Sequence, residues 1–207
     1  MWGIVQDGSI TKIINKPRGM VIGDVRYSRK IFELWSKAEL EAKGIYEVEF
    51  DNTNKKDEQW YINTNQSFIF TGGKITASYG TATPKLLEDR NETNEDGSPM
   101  LDANGNQVVT KGLKSQKKQI IKNQASGLLE PTDWHNHKAL DDDTYTIPAN
   151  IKTYRANVRT RSNEMETAID NASDVDALAT LYKYVNTGTE ENPVMERPLG
   201  EFPTLEI

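Results

Sequence analysis

A long helical pattern towards the C-terminal end constrains this chain more than any other stretch. Counting back from Ala172 in steps that alternate four and three residues meets Ala168, Met165, Arg161, Val158, Tyr154 and Ile151. That spacing sets them along one seam of an α-helix, apolar or nearly so except at Arg161. Pro148 suits the first turn of such a helix, because its φ is already helical and its missing N–H has no intrahelical acceptor there. A seam of about three heptads has to be covered, and Arg161 within it would cost stability while setting register.

Two neighbouring segments offer matching stripes. From about Lys114 to Leu129, a helical pattern puts Ile120, Ile121, Ala125, Leu128 and Leu129 on one side, with Lys117, Lys118 and Lys122 largely off it, until Pro131 ends it. Lys114 is also expected off the stripe. Ser173-Asp-Val-Asp176 then caps a third helix carrying Leu178, Leu181, Tyr182 and Val185, stopped at Asn186-Thr-Gly188. Packing within the three-helix region 113–185 therefore accounts for the seam, and self-association into a homo-oligomer is the alternative. The remainder, 186–207, holds Pro193, Pro198 and Pro203 between spaced apolar residues, including Leu199 and Phe202, and reads as an extended arm.

The first 82 residues have a different period. Trp2–Val5 and Ile10–Ile14 flank Asp7-Gly8, a dipeptide suited to the positive φ of a hairpin turn. Ser36-Lys-Ala-Glu39 has the spacing of a capping box, and Gly44 can stop the one short helix it starts. Ile45–Phe50 alternates, with Tyr46, Val48 and Phe50 on the face expected to be buried. Gln59–Ile62, Gln66–Phe70 and Lys74–Tyr79 then complete an antiparallel meander. Residues 83–112 lack apolar periodicity and read as a linker or protruding loop with a short hairpin near Met100-Leu101 and Val108-Val109. The expected class is α+β: an antiparallel β-rich domain, a helical domain and an extended tail.

Composition narrows the chemistry. The formal net charge is -6, so the lysines of 111–122 read as one exposed helix face and nucleic acid is not an expected partner. Cysteine is absent, which excludes disulfides, thiolate metal sites and a cysteine nucleophile. Apolar runs reach only a few residues, and Met1-Trp-Gly-Ile-Val-Gln-Asp has no basic, then apolar, leader pattern, so neither a membrane span nor a secretory signal is expected.

His135-Asn-His137 holds both histidines of the chain. On an extended segment they would point the same way and could share a metal, whereas an exposed polar turn is the bland alternative. Glu47 and Glu49 would lie on one solvated strand face rather than across a cleft, and Asp141–Asp143 is a solvated run. Trp60, Tyr61, Phe68, Phe70 and Tyr79 read as sheet core before they read as a sugar platform. Phosphate-loop, dinucleotide and nucleophile-elbow motifs are missing, so the expectation is a non-enzymatic protein without cofactor.

Leu129-Glu-Pro-Thr-Asp-Trp134, followed by Ile147-Pro-Ala-Asn-Ile151, Tyr154-Arg155 and Val158-Arg159, resembles the C-terminal part of tail-fibre assembly and tail-fibre-associated proteins of tailed bacteriophages. Tyr27-Ser-Arg-Lys-Ile-Phe32, Trp35-Ser-Lys-Ala-Glu-Leu40 and Gly44-Ile-Tyr-Glu-Val48 are more loosely similar to a module that accompanies it in phage proteins, marine phages included. After Asp-Trp the family pattern continues as a strand-like run ending in a basic residue, where this chain has His135-Asn-His-Lys138. The resemblance implies a structural role in the virion tail after assembly in the host cytoplasm, with phage tail or tail-fibre proteins as partners. Trp134, Tyr154, Arg155, Val158, Arg161, Leu199 and Phe202 are the candidate contact residues. A chaperone acting on the fibre tip is the alternative within the resemblance, and a receptor or carbohydrate-binding fibre protein the alternative outside it.

Overall fold

Asp7 and Gly8 take φ values of 50° and 75°, the left-handed pair that a two-residue hairpin turn demands. They join β1 (Trp2–Gln6) to β2 (Ser9–Ile14), and a bulge between Ile4 and Val5 adds local twist. The computed structural model describes residues 1–205 and divides into two compact units, Met1–Thr83 and Pro84–Ile207. The α+β class holds, with strands dominating the first unit and helices the second.

In the first unit a five-stranded sheet runs in the order β2, β1, β5 (Ile45–Asp51), β8 (Lys74–Ser78), β7 (Ser67–Thr71). It is not the purely antiparallel meander expected. β5 pairs antiparallel with β1 but parallel with β8, Val48 opposite Ile75. Residues 52–66 cross over the place next to β5 to reach β7, and the β7–β8 hairpin then brings the chain back so that β8 fills that place parallel to β5. Asp51 binds the Thr53 amide and hydroxyl, while the Asn63 side chain exchanges hydrogen bonds with the Lys56 backbone, so the chain loops away instead of returning beside β5. The short β6 (Tyr61–Ile62) lies in this crossover, with Trp60 and Tyr61 buried.

Both faces of β5 are used, which corrects the single buried face expected from its alternation. Val48 joins Ile75 and Ala77 in a core completed by Tyr46, Phe68 and Phe70. Phe50, on that same face, is 49% exposed because it lies towards the strand end. On the opposite face Ile45 is fully buried under Ile31 and Leu40. The cover consists of the hairpin β3 (Met20–Ile22) and β4 (Val25–Tyr27) with two short helices rather than one, α1 (Ile31–Leu34) and α2 (Lys37–Glu41). The Ser36–Glu39 capping box forms at 2.7 and 3.3 Å. Gly44 turns at φ 74° against the Val5 carbonyl, where a side chain would collide with backbone.

The second unit begins at β9 (Thr83–Pro84), a strand that falls on the boundary. Residues 90–110 form a ladder of small antiparallel pairings rather than a plain linker. β10 (Arg90–Asn91) pairs with β11 (Val109–Thr110), followed by bridges Thr93–Pro99 and Leu101–Gln107. The Gln107 amide donates to the carbonyls of Glu92, Met100 and Val108 and ties the ladder together. Asp102 accepts from the amides of Asn104 and Asn106, an ordinary polar turn.

Asp89 links this ladder to the helices. Its carboxylate accepts from the Gly112 amide at 2.9 Å, at the start of α3 (Leu113–Leu129), and pairs with Lys111 at 2.7 Å. A 3-10 turn (Glu130–Thr132), α4 (Asp133–Asp141), α5 (Ala149–Asp170) and α6 (Val175–Tyr182) follow. α4 stands where a polar break is expected. Asp174 caps α6 by accepting from the Ala177 amide, and Val185 belongs to the hairpin β12 (Val185–Asn186) and β13 (Met195–Glu196) rather than to that helix.

α3 and α5 are the main helix pair. The buried line along α5 runs through Ile151, Tyr154, Val158, Ser162, Met165 and Ile169, so Ser162 and Ile169 replace Arg161 and Ala168 of the heptad reading. A helix of 3.6 residues per turn drifts away from a strict seven-residue repeat, and without a supercoiled partner the contact line follows the drift. Ile120 is 45% exposed, and Lys114 is buried, donating to Glu88 and to the Asp170 carbonyl at the end of α5. Lys118 and Lys122 pair with Asp170 and Glu166, so α3 presents a paired face rather than a free basic one. Among the described residues no helix is long and apolar enough to cross a membrane.

The Lys111 ammonium, then the Gly112 amide and Ser115, hold the Asp89 carboxyl down to about 2. Its pKa is depressed on folding, so its contribution is complete above the ordinary value of 3.8 and is lost as pH falls through about 2. A carboxyl-carbon NMR titration of Asp89 should show that low midpoint, and Lys111→Ala should move it up towards the ordinary range.

Candidate functional site

Pro131 shapes the region where the resemblance lies. It has no N–H to continue α3, and its ring is incompatible with regular helix across the preceding turn. The chain tightens into the 3-10 turn, with the Asp133 amide donating to the Glu130 carbonyl. Helix ends leave carbonyls without intrahelical donors, and here those of Leu128 and Leu129 are satisfied from α5. The Tyr154 hydroxyl donates to Leu128 O at 3.2 Å, and Arg155 Nη1 donates to Leu129 O at 2.8 Å.

Arg155 does more than close one helix end. Nη1 also donates to Thr132 Oγ1 at 2.5 Å, and Nη2 pairs with Asp133 Oδ1 at 2.7 Å. The Thr132 hydroxyl in turn donates to the Leu129 carbonyl at 2.8 Å. Arg155 is 6% exposed, so its fork is committed to three partners, of which Asp133 lies at the open edge of the joint. Charge-assisted bonds of this kind are roughly twice as strong as neutral ones. Leu129–Trp134 and Tyr154–Arg155, separated in sequence, thus meet in one place.

The remaining predicted contact residues are drawn into the same unit. Val158 is fully buried and Tyr154 nearly so. Arg161, expected as a misfit in the seam, sits at its side and reaches the C-terminal segment: Nη2 donates to Leu199 O at 2.7 Å and Nε to Glu201 O at 3.2 Å. Gly200 has φ 72° and faces that guanidinium where any Cβ would overlap it. The segment 197–205 therefore folds back instead of projecting as an arm. Leu199 is buried, its amide bonded to Leu181 O at 2.9 Å, and Phe202 and Leu205 pack on Ala125, Tyr154 and Val158. As free contact residues, Tyr154, Arg155, Val158, Leu199 and Phe202 are thus corrected: they are interior or half-interior, because the chain supplies its own cover. Trp134 remains 53% exposed.

The shared-metal reading of His135 and His137 also fails on geometry. Both lie on α4, where residues two apart point to different sides of the helix. His135 is buried, stacked on Trp134 at 3.8 Å between ring centroids, and its Nδ1 lies 2.5 Å from the Tyr145 hydroxyl. His137 is exposed. No group of three or more His, Cys, Asp or Glu side chains able to hold a metal occurs among the described residues.

Further along the chain, burial pushes the Tyr182 phenol up to about 12, against the opposing charge of Arg197, which lies over its ring. Glu49, one of the paired carboxylates of the sequence, is engaged with Lys74 at 2.8 Å. These groups hold structure together. Of the residues that matter here, Lys114 and Gly200 carried no signal in the local pattern, because their partners Glu88, Asp170 and Arg161 lie in distant segments.

Arg155→Met should destabilise the chain by about 1–3 kcal/mol, since it strips donors from the Leu129 and Thr132 oxygens and takes the partner from the half-exposed Asp133 carboxylate. Arg155→Lys should recover only part, because an ammonium lacks the planar fork. Denaturant midpoints read both. His135→Ala should cost about 1–2 kcal/mol and His137→Ala less than about 0.5 kcal/mol. Equal losses in the two variants would contradict the structural role given to His135.

No protein-family model, no curated protein and no solved structure matches the chain.

Proposed function

We propose that the protein is a non-enzymatic structural component of a phage tail or tail fibre, carried in the virion and joined to neighbouring tail proteins by protein–protein contacts. The observation that supports this reading is the Arg155 joint. The two separated pieces of the tail-fibre-associated pattern, Leu129–Trp134 and Tyr154–Arg155, are partners through Arg155, Thr132, Asp133 and Leu129. Their contact is what supports reading the two pieces together as one structural device.

The chemistry of the described residues suits a mechanical part. Buried polar groups such as Arg155 and Lys114 are spent on tying segments together. Apolar side chains left at the surface include Trp134 on α4 and Val185 and Met195 on the β12–β13 hairpin, and such residues supply contact area for a neighbour. Trp134 keeps one face on His135 and the other available, the disposition of an aromatic anchor.

Mass spectrometry of purified virions checks the reading, with stoichiometric presence of this chain as the expected result. Its absence from virions, together with a fibre that fails to trimerise unless this protein is co-expressed, would transfer the role to an assembly chaperone.

A further inference from the structure

In the N-terminal unit, the run from Arg18 through Ile22 borders a cavity of about 540 Å³, with Ile4 of β1 and Ile14 of β2 across from it. Side chains alternate along a strand, so a cavity bordered by an unbroken run is bordered by the strand's edge rather than by one of its faces. β3 pairs with β4 alone, and in a hairpin closed by Ile22 and Val25 the peptide groups of Val21 point away from β4. No other segment hydrogen-bonds that edge among the described residues. Ile4 and Ile14 are buried and Met20 and Ile22 half-buried, which gives the cavity an aliphatic floor.

The charge around this groove opposes that of the chain. Residues 9–30 carry six cationic side chains and one carboxylate, Asp24, although the net charge of the protein is -6. Of the six, Arg29 is paired with Glu33 at 4.0 Å, and the other five have no carboxylate partner among the described residues. Two of those five, Lys12 and Arg18, line the cavity. Cations left without counter-charge beside a concave surface raise the local positive potential and draw in an anionic partner. The aliphatic floor suits aliphatic side chains, whereas single-stranded nucleic acid is held by stacking on aromatic faces. Asp24, at the turn between the exposed Val21 and Val25, opposes entry of the hairpin into an anionic bilayer.

We propose that this groove binds an extended acidic peptide segment of another protein, which adds as a strand to the free edge of β3. Its aliphatic side chains lie over Ile4 and Ile14, and its carboxylates meet Lys12 and Arg18. Main-chain bonds to the edge supply affinity, and the floor and the two cations supply selectivity. The inference goes beyond the tail-component reading, because it rests on the groove alone.

The probe is a dye-labelled peptide, Asp-Glu-Val-Glu-Ile-Asp-Glu, titrated into the full chain at about 20 mM salt and followed by fluorescence anisotropy. Saturable binding below about millimolar peptide is expected, with the amide NMR signals of Gly19 and Val21 shifting. Lys12→Glu with Arg18→Glu should weaken binding about tenfold. Lys152→Glu with Lys183→Glu, an equal change of charge on the helical unit, should leave it within about twofold. N-methylation of alternate peptide amides should weaken binding about tenfold in one register and little in the other, since only every second peptide group faces β3. Equal affinity for a peptide with Asn and Gln in place of its acids overturns the proposal, as does indifference to the Lys12 and Arg18 reversal or to both N-methylated registers. No binding at about millimolar peptide overturns it too, including where a single-stranded oligonucleotide or a phosphatidylglycerol vesicle binds instead. Virion composition is read separately and bears only on the tail assignment.

Discussion

Pro131 interrupts the helical unit, and the unit's architecture follows from how the interruption is repaired. α3 ends there in a 3-10 turn, so the Leu128 and Leu129 carbonyls no longer have the donors a continuing α-helix would supply, and a buried carbonyl left unpaired costs about 1–3 kcal/mol. The repair comes from α5, through the Tyr154 hydroxyl and the Arg155 guanidinium. Because both side chains sit on one turn of α5, satisfying the break also sets the depth and register at which α5 meets α3. Tyr154 and Val158 then form the floor on which Phe202 and Leu205 rest. Burying a guanidinium carries a large desolvation penalty, which is met only because Leu129, Thr132 and Asp133 occupy its fork together.

The N-terminal unit relies on backbone approach more than on buried charge. β5 and β8, the two central strands that pair parallel with each other, each have an antiparallel neighbour on the other side, β1 and β7 respectively. Glycines permit the close contacts around them. A Cβ on Gly3 would collide with Ile75, and one on Gly44 with the Val5 carbonyl. Each face of the sheet then closes over its own small aromatic-rich cluster, with Trp2 tilted on Phe32 at 4.8 Å and Tyr46 on Phe70 at 4.7 Å. Aromatic pairs supply much of the apolar contact in a unit with few aliphatic residues to spare.

Across the second unit, polar side chains act as ties between segments distant in sequence. Lys114 joins the ladder to the end of α5, Asp89 joins it to the start of α3, and Arg161 joins α5 to the C-terminal segment. A mean hydropathy of -0.70 leaves limited apolar area to bury, so charge-assisted bonds to backbone carbonyls take over part of the work of fixing segments. Fastening of that sort fixes each segment at particular carbonyls rather than over a broad apolar face.

Local chemistry made several elements legible in the sequence. Asp7-Gly8 demanded a hairpin, Ser36 with Glu39 a capped helix, Asp174 a second cap and Pro148 the start of α5, because each is decided within a few residues by hydrogen bonds or φ. Leu129–Trp134 and Tyr154–Arg155 were each visible in the sequence, but nothing in it stated that they touch. Tertiary structure alone decided the parallel pairing of β5 with β8, the helical state of His135 and His137, the inward turn of Arg155 and the return of the C-terminal segment. The inward turn of Arg155 and the return of the C-terminal segment depend on partners more than 20 residues away: the Arg155 side chain and the Leu129 carbonyl are 26 positions apart, and Arg161 and Leu199 are 38 apart. A periodic pattern can state that Arg161 departs from the seam, but only the folded chain brings to it the carbonyls that give a buried-edge cation something to hold.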